Sequence, residues 1–299
     1  VGTHRGRRLT VQPRYPIYVP SKGRWQRRPT IRRLEEMGVP FTVVVEQQER
    51  EAYAAVVRGG DVVALDPGYQ HEYDPCVELR PGQSKGSGPA RNFIWDHAVA
   101  AGAERHWVLD DNITAFYRRH AGERFPVRDG VFFRIMEDFV DRYENVALAA
   151  PQYSTFDRGN PLGPFVMNSR VYSCILVRND LPLRWRGRYN EDTDLSLRAL
   201  KAGWCTVLFY ALQANKTATQ QMAGGNTDEI YADGTTAKSL MLLRLHPDVV
   251  KPSYRWGREH HYVDYRRFRQ RLVRRPDVQV PDGDPYGLRL VDRSTEGST

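Results

Sequence analysis

Four short, almost wholly apolar runs mark the first 110 residues, at positions 17–19, 41–45, 62–65 and 107–110. Between them lie stretches with helical spacing: residues 27–37, closed by Gly38 and Pro40, then about 48–58, then about 89–101 after a Gly/Pro-rich loop. Runs that are apolar at every position suit parallel strands covered on both faces. The β-α-β-α-β-loop-α-β order therefore predicts an α/β fold, Rossmann-like, with a mostly parallel sheet flanked by helices.

The second half is more mixed. Its pattern predicts a helix over 131–143, strands over 146–150 and 171–177, a helix over 192–202, a strand over 206–211 and a helix over 236–245. A basic helix is expected over 265–274. The parse is a basic N-terminal arm (1–14), one domain (15–250), a basic C-terminal helical extension (251–275) and a Pro-, Gly-, Asp- and Ser-rich tail (276–299) expected to be flexible. No window approaches the roughly 18 consecutive apolar residues of a membrane span. Three scattered cysteines, Cys76, Cys174 and Cys205, form no CxxC pair, so the expected setting is a reducing cytoplasm.

Charge is segregated along the chain. The net +8 comprises ten basic residues and no acid over 1–33, and nine basic against two acidic residues over 251–275. The remainder is acidic. Two basic ends on an acidic body suit contact with a polyanion, and arginine, which outnumbers lysine here, suits phosphate bidentately. Aromatic residues lie among these ends: Trp25, Tyr254, Trp256, Tyr262 and Tyr265.

In open α/β sheets ligands bind beyond the carboxyl ends of the strands. Pro20, Ser21, Lys22, Gly23 and Arg24 follow the first strand, Glu46 follows the second, and Asp110, Asp111 and Asn112 follow the fourth. Adjacent strand-end oxygens suit Mg²⁺ or Mn²⁺, which also takes diphosphate oxygens, but a strand-end Asp also caps helices. Gly86-Ser87-Gly88 opens a helix carrying Arg91 and Asn92, a place where free N–H groups attract phosphate. Glu191, Asp192 and Asp194 open a later helix, where carboxylates either answer the dipole or serve as a general base.

Taken in order, Ile17–Arg24, Gly86–Asn92, Asp110-Asp111-Asn112 and Glu191-Asp192 resemble the layout of GT-A glycosyltransferases. More narrowly, the chain resembles the TET-associated glycosyltransferases over roughly residues 15–265, including Met222–Asn226 and Arg258–Asp264. That family is found largely in phages, and the resemblance implies sugar transfer to hydroxymethylated pyrimidines in DNA. It implies a nucleotide-sugar donor of the UDP-glucose or UDP-GlcNAc type, with Mn²⁺ or Mg²⁺ at Asp110, Asp111 and Asn112. Asn112 stands where the DxD pattern has Asp.

By the same resemblance Pro20, Ser21 and Arg24 line the nucleotide pocket, and Glu46 accepts from the uracil N3–H. Arg91 and Asn92 lie on the donor, and Asp192 is the base of an inverting reaction, with Glu191 and Asp194 beside it. Some GT-A enzymes complete the metal shell with a C-terminal histidine, which implies such a place for His260 or His261; as paired surface histidines in a basic segment the two suit contact with phosphate better. Lys216, Gly224, Gly225 and Asn226 suit a lid or acceptor loop. Other readings stay open on the residues alone: a protein or glycan acceptor, a nucleotidyltransferase, or a DNA-binding module without catalysis.

Overall fold

A computed structural model describes residues 11–157, 163–217, 236–255 and 257–279. The main sheet has ten strands: β1 (Ile17–Pro20), β2 (Phe41–Val45), β3 (Gly60–Ala64), β4 (Arg105–Leu109), β5 (Ile113–His120), β6 (Glu123–Pro126), β7 (Val146–Tyr153), β8 (Phe165–Met167), β9 (Cys174–Arg178) and β10 (Cys205–Lys216). Their order is β3-β2-β1-β4-β9-β7-β10-β5-β6, with β8 also on β10. The first four run parallel, as the sequence pattern predicts, and β10 is parallel to β7. The remaining pairs are antiparallel.

The helices are α1 (Pro29–Met37), α2 (Arg50–Ala54), α3 (Gly68–Glu72), α4 (Gly88–Ala100), α5 (Val131–Val140), α6 (Glu191–Lys201) and α7 (Thr236–Leu245). Alternation along the strands sorts them into two layers. Ile17, Val19, Val43, Val45, Trp107 and Leu109 pack with Ile31 and Leu34 of α1 and Phe132, Phe133 and Met136 of α5. Their neighbours Tyr18, Val44 and Val108 pack on the other face with Ile94, Trp95 and Ala98 of α4 and Leu195 and Ala199 of α6. A period of two in each strand thus builds both cores from apolar runs that looked featureless.

Local signals set the helix ends. Pro29 opens α1, and Gly38, at φ 64°, closes it in the left-handed conformation that glycine adopts without strain. Gly88 starts α4 flush against Tyr73, where an added Cβ would fall 1.9 Å from the ring. The Tyr73 hydroxyl then donates to the Gly187 carbonyl at 2.9 Å and ties α4's start to the loop before α6.

The basic helix expected over 265–274 is not formed. Val250–Arg255 (β11) and Arg258–Val263 (β12) make an antiparallel hairpin, Tyr265–Arg267 is a single 3-10 turn, and the chain then runs on as an irregular strap. The strap's backbone groups find partners on the body instead of four residues back. The Asn168 amide donates to the carbonyls of Phe268 and Gln270, and the Asn145 amide to that of Arg271. Five exposed arginines (266, 267, 269, 271 and 274) would also crowd one another on a helix. Leu197 of α6, Leu242 of α7, Val249 and Val250 bury a small core that also holds Val263, Tyr265 and Phe268, so the extension is fastened to α6. Residues 1–10 of the arm, 222–226 and 280–299 of the tail lie outside the described residues.

Candidate active site

The carboxyl ends of β1, β2 and β4 open on a cleft of about 340 Å³. Pro20, Ser21, Lys22 and Arg24 reach it from β1, Glu46 from β2, and Asp110, Asp111 and Asn112 from β4. Ser87 and Arg91 come from the start of α4, and Glu191 and Asp192 from the start of α6. The topology therefore gathers most of the polar residues singled out from the sequence around one space. Asn92 and Asp194 do not line it.

The three residues after β4 part company. Asp110 accepts from Arg91 Nη2 at 2.8 Å through one oxygen and pairs with Lys216 Nζ at 3.2 Å through the other. Burial disfavours its charged form, but Lys216 and Arg91 outweigh that and hold its pKa below the ordinary value. Asp111 turns into the protein, paired with Arg24 and accepting from Ser21 Oγ at 2.8 Å. Ser21 Oγ also meets the Tyr53 hydroxyl at 2.7 Å, so β1, α2 and β4 are joined below the cleft floor. Asn112 donates to the Thr217 carbonyl at 3.0 Å, while its Oδ1 is buried without a hydrogen-bond partner among the described residues.

This donor set does not fit Mg²⁺ or Mn²⁺. Such ions take about six oxygens, usually one or two carboxylates plus waters and phosphate. Here both carboxylates are already paired with cations. Among the described residues, no three His, Cys, Asp or Glu side chains converge as metal ligands. His260 and His261 lie on β12, outside the cleft lining. Burial, with Lys238 and Arg170 nearby, lowers His261 to about 4.

Arg91 is almost fully buried, its guanidinium 4.7 Å from the centre of the Trp185 ring. Asn92 holds that ring in place by bonding both the carbonyl and the N–H of Trp185, at 3.0 and 2.8 Å. Arg91 Nε and Nη1 are buried with no hydrogen-bond partner among the described residues. Glu191 accepts from Ser87 Oγ at 2.9 Å and lies 3.8 Å from Arg91; burial raises its pKa despite that neighbour. Glu46 is held by Lys22 at 3.0 Å and Gln48 at 2.6 Å.

The acids of α6 diverge. Asp192 Oδ1 accepts from the Thr193 N–H at 2.8 Å, and Oδ2 has no hydrogen-bond partner among the described residues. Asp194 is sealed inside, bonded to Arg186 at 3.1 Å, Arg198 at 2.7 Å and His246 Nε2 at 2.9 Å. Burial alone would raise its pKa; His246, Arg186 and Arg198 reverse that and bring it to about 2.

Sequence reasoning missed much of the far wall. Lys238 of α7, Arg170, Tyr153, Phe156 and Tyr172 all line the cleft, and Lys216 does so from the end of β10 instead of from a lid. Lys216 had a readable signal, as a polar residue ending an apolar strand. Arg170 and Lys238 had none, because tertiary packing alone brings them in. Of the aromatics in the basic ends, Tyr254 and Tyr262 are exposed on the hairpin, whereas Trp25 packs against Tyr53. Part of the N-terminal charge is spent internally, Arg14 on Asp138 and Asp141 and Arg24 on Asp111.

The α/β sheet, parallel over β1 to β4 and flanked by helices, with its strand ends and helix starts meeting at one cleft, is a GT-A-like fold. The family model described as TET-Associated Glycosyltransferase matches residues 15–225, more than half of the chain, and the protein belongs to that family. It is a glycosyltransferase. The match ends before α7, the hairpin and the strap. No curated protein matches the chain. Among the described residues no helix is long and apolar enough to cross a membrane.

Proposed function

We propose that the protein transfers a sugar from a UDP-sugar to the hydroxyl of 5-hydroxymethylcytosine or 5-hydroxymethyluracil in DNA, with inversion at the anomeric carbon. One observation carries the mechanism: Asp192, whose Oδ2 has no hydrogen-bond partner among the described residues, shares a cleft with the Arg91–Asp110–Lys216 cluster. Asp192 takes the proton of the acceptor hydroxyl as that oxygen attacks C1 of the sugar. The bond from C1 to the diphosphate oxygen breaks, and the nucleoside diphosphate leaves with the bonding electrons. Fixed cations around the leaving group stabilise the developing charge without reorganising, usually the largest catalytic contribution. Glu46, with Pro20 and Ser21, is assigned to the nucleobase end, where its carboxylate is an acceptor for a ring N–H.

Asp192 is assigned as base over its neighbours on geometry. Glu191 is committed to Ser87 and Arg91, and Asp194 is closed off by three cationic or imidazole partners. A DNA acceptor is supported by the family and by the strap, where Arg267, Arg269 and Arg271 are exposed at alternate positions. That strap begins at Tyr265, whose ring is close enough to Arg170 and Asp192 to feel their charges. The base to be modified reaches the cleft either by extrusion from the duplex or from the major groove.

The test is incubation with UDP-glucose or UDP-GlcNAc and hydroxymethylated DNA, followed by mass spectrometry of the digested nucleosides. The expected product is a hydroxymethylpyrimidine nucleoside heavier by one sugar residue. Transfer to a protein or glycan with none to DNA would overturn the acceptor assignment.

A further inference from the structure

Resting on the donor assigned above, we infer that Lys216 and Arg91 together occupy the place of a divalent cation, so that the donor's diphosphate binds without metal. The geometry is specific. Lys216 Nζ lies 3.2 Å from Asp110 Oδ2 and 2.6 Å from Ser173 Oγ, and 5.6 Å from the centre of the Tyr153 ring. Asp110 is the strand-end carboxylate from which a GT-A enzyme would hang its metal. Here its two oxygens are divided between Lys216 and Arg91, so it presents two anchored cations to the cleft instead of an open ligand.

A second observation points the same way. Arg91 spends only Nη2 on Asp110; its Nε and Nη1 are buried donors with no hydrogen-bond partner among the described residues, at the start of α4 where Ser87 and Ala90 also line the cleft. A buried guanidinium leaves such donors unsatisfied at a cost that an arriving oxyanion removes. Lys216 comes from the end of β10 and Arg91 from α4, so the two flank Asp110 from different elements. A diphosphate between them meets two positive charges, the number that one Mg²⁺ or Mn²⁺ supplies. Asp110 then keeps a structural part, holding both cations at a fixed separation.

Calorimetric titration tests this with UDP, inorganic pyrophosphate and uridine, each in EDTA and in Mn²⁺. In EDTA the full-length protein is expected to bind UDP and pyrophosphate with affinities within about twofold of those in Mn²⁺. The Lys216→Ala variant is expected to bind both roughly 10- to 100-fold more weakly, the usual loss for a hydrogen bond to a charged group. Uridine, which carries no phosphate, should bind the variant as it binds the wild type and so reports an intact pocket. Lys216→Arg, which keeps the charge, should retain most of the metal-free UDP affinity even if Lys216→Ala misfolds. UDP and pyrophosphate binding that appears only with Mn²⁺, or a Lys216→Ala variant with unchanged affinity in EDTA, would overturn the inference. Metal-free pyrophosphate binding that Lys216→Ala weakens, with UDP no tighter than pyrophosphate and uridine not bound at all, would uphold it and instead remove the uridine donor.

Discussion

Two carboxylates two residues apart on α6 live in opposite surroundings. Asp192 faces the cleft with a single well-formed hydrogen bond, whereas Asp194 is buried among Arg186, Arg198 and His246. The comparison teaches that partners decide what an acid at a helix start can do. A carboxylate whose oxygens are all engaged by cations has no lone pair to offer a substrate, while one with an open oxygen has. Asp194 instead joins α6 to the loop before it and to the residue just after α7, and so holds Asp192 at the cleft.

The largest expected effect breaks the open member of the pair. Asp192→Asn should lower kcat by about 10²–10⁴, the usual contribution of a general base, with UDP affinity retained. Unimpaired turnover would move the base elsewhere. Next comes the sealed member. Asp194→Asn strips the counter-charge from a buried cluster and should destabilise the fold by about 3 kcal/mol in urea unfolding, whereas Asp192→Asn should shift stability by less than about 1 kcal/mol. Equal destabilisation by the two variants would erase the contrast.

The same cluster sets an acid limit. The folded pKa of Asp194, about 2, lies below its ordinary 3.8. Its stabilisation is therefore fully present above about pH 5 and is lost as pH falls toward 2, to the extent of about 2 kcal/mol. Unfolding free energies measured between pH 5 and pH 2 should fall more steeply in the wild type than in Asp194→Asn. The smallest effect lies on the strap. Replacing Arg267, Arg269 and Arg271 by Ala should flatten the dependence of log K for DNA on log[salt] by up to about 0.9 for each phosphate no longer neutralised. A slope that does not change would free the strap from any part in DNA binding.

The readable and unreadable parts of the chain divide along the sheet. The parallel half, β1 to β4 with α1 and α4, could be read from residues 17–110 because each strand and each helix there is a local pattern bounded by Gly or Pro. The other half was read less completely. β5 and β6 carry Arg118, Arg119 and Arg124 in a hairpin at the sheet edge, where Arg119 and Arg124 pair with Asp157 and no apolar run marks the strands. The basic helix expected over 265–274 was overruled, since Asn145 and Asn168 of the body take the backbone carbonyls that a helix would have kept.

The candidate site divides in the same way. Ser21, Arg24, Glu46, Arg91, Asp110, Asp111, Glu191 and Asp192 were visible because the ends of strands and the starts of helices are where an α/β sheet gathers its ligands. Their pairings were not visible. Asp111 is spent on Arg24, Asp110 is shared by Arg91 and Lys216, and Asp194 is closed off while Asp192 is open. These pairings join side chains as many as 106 positions apart.

By itself the sequence determined the parallel half of the sheet and its helices, through strand and helix periods that depend only on neighbouring residues. Only the tertiary structure decided which charges neutralise one another. An ion pair is set by distance in space and by the loss of water around it, and neither is written in the order of the residues.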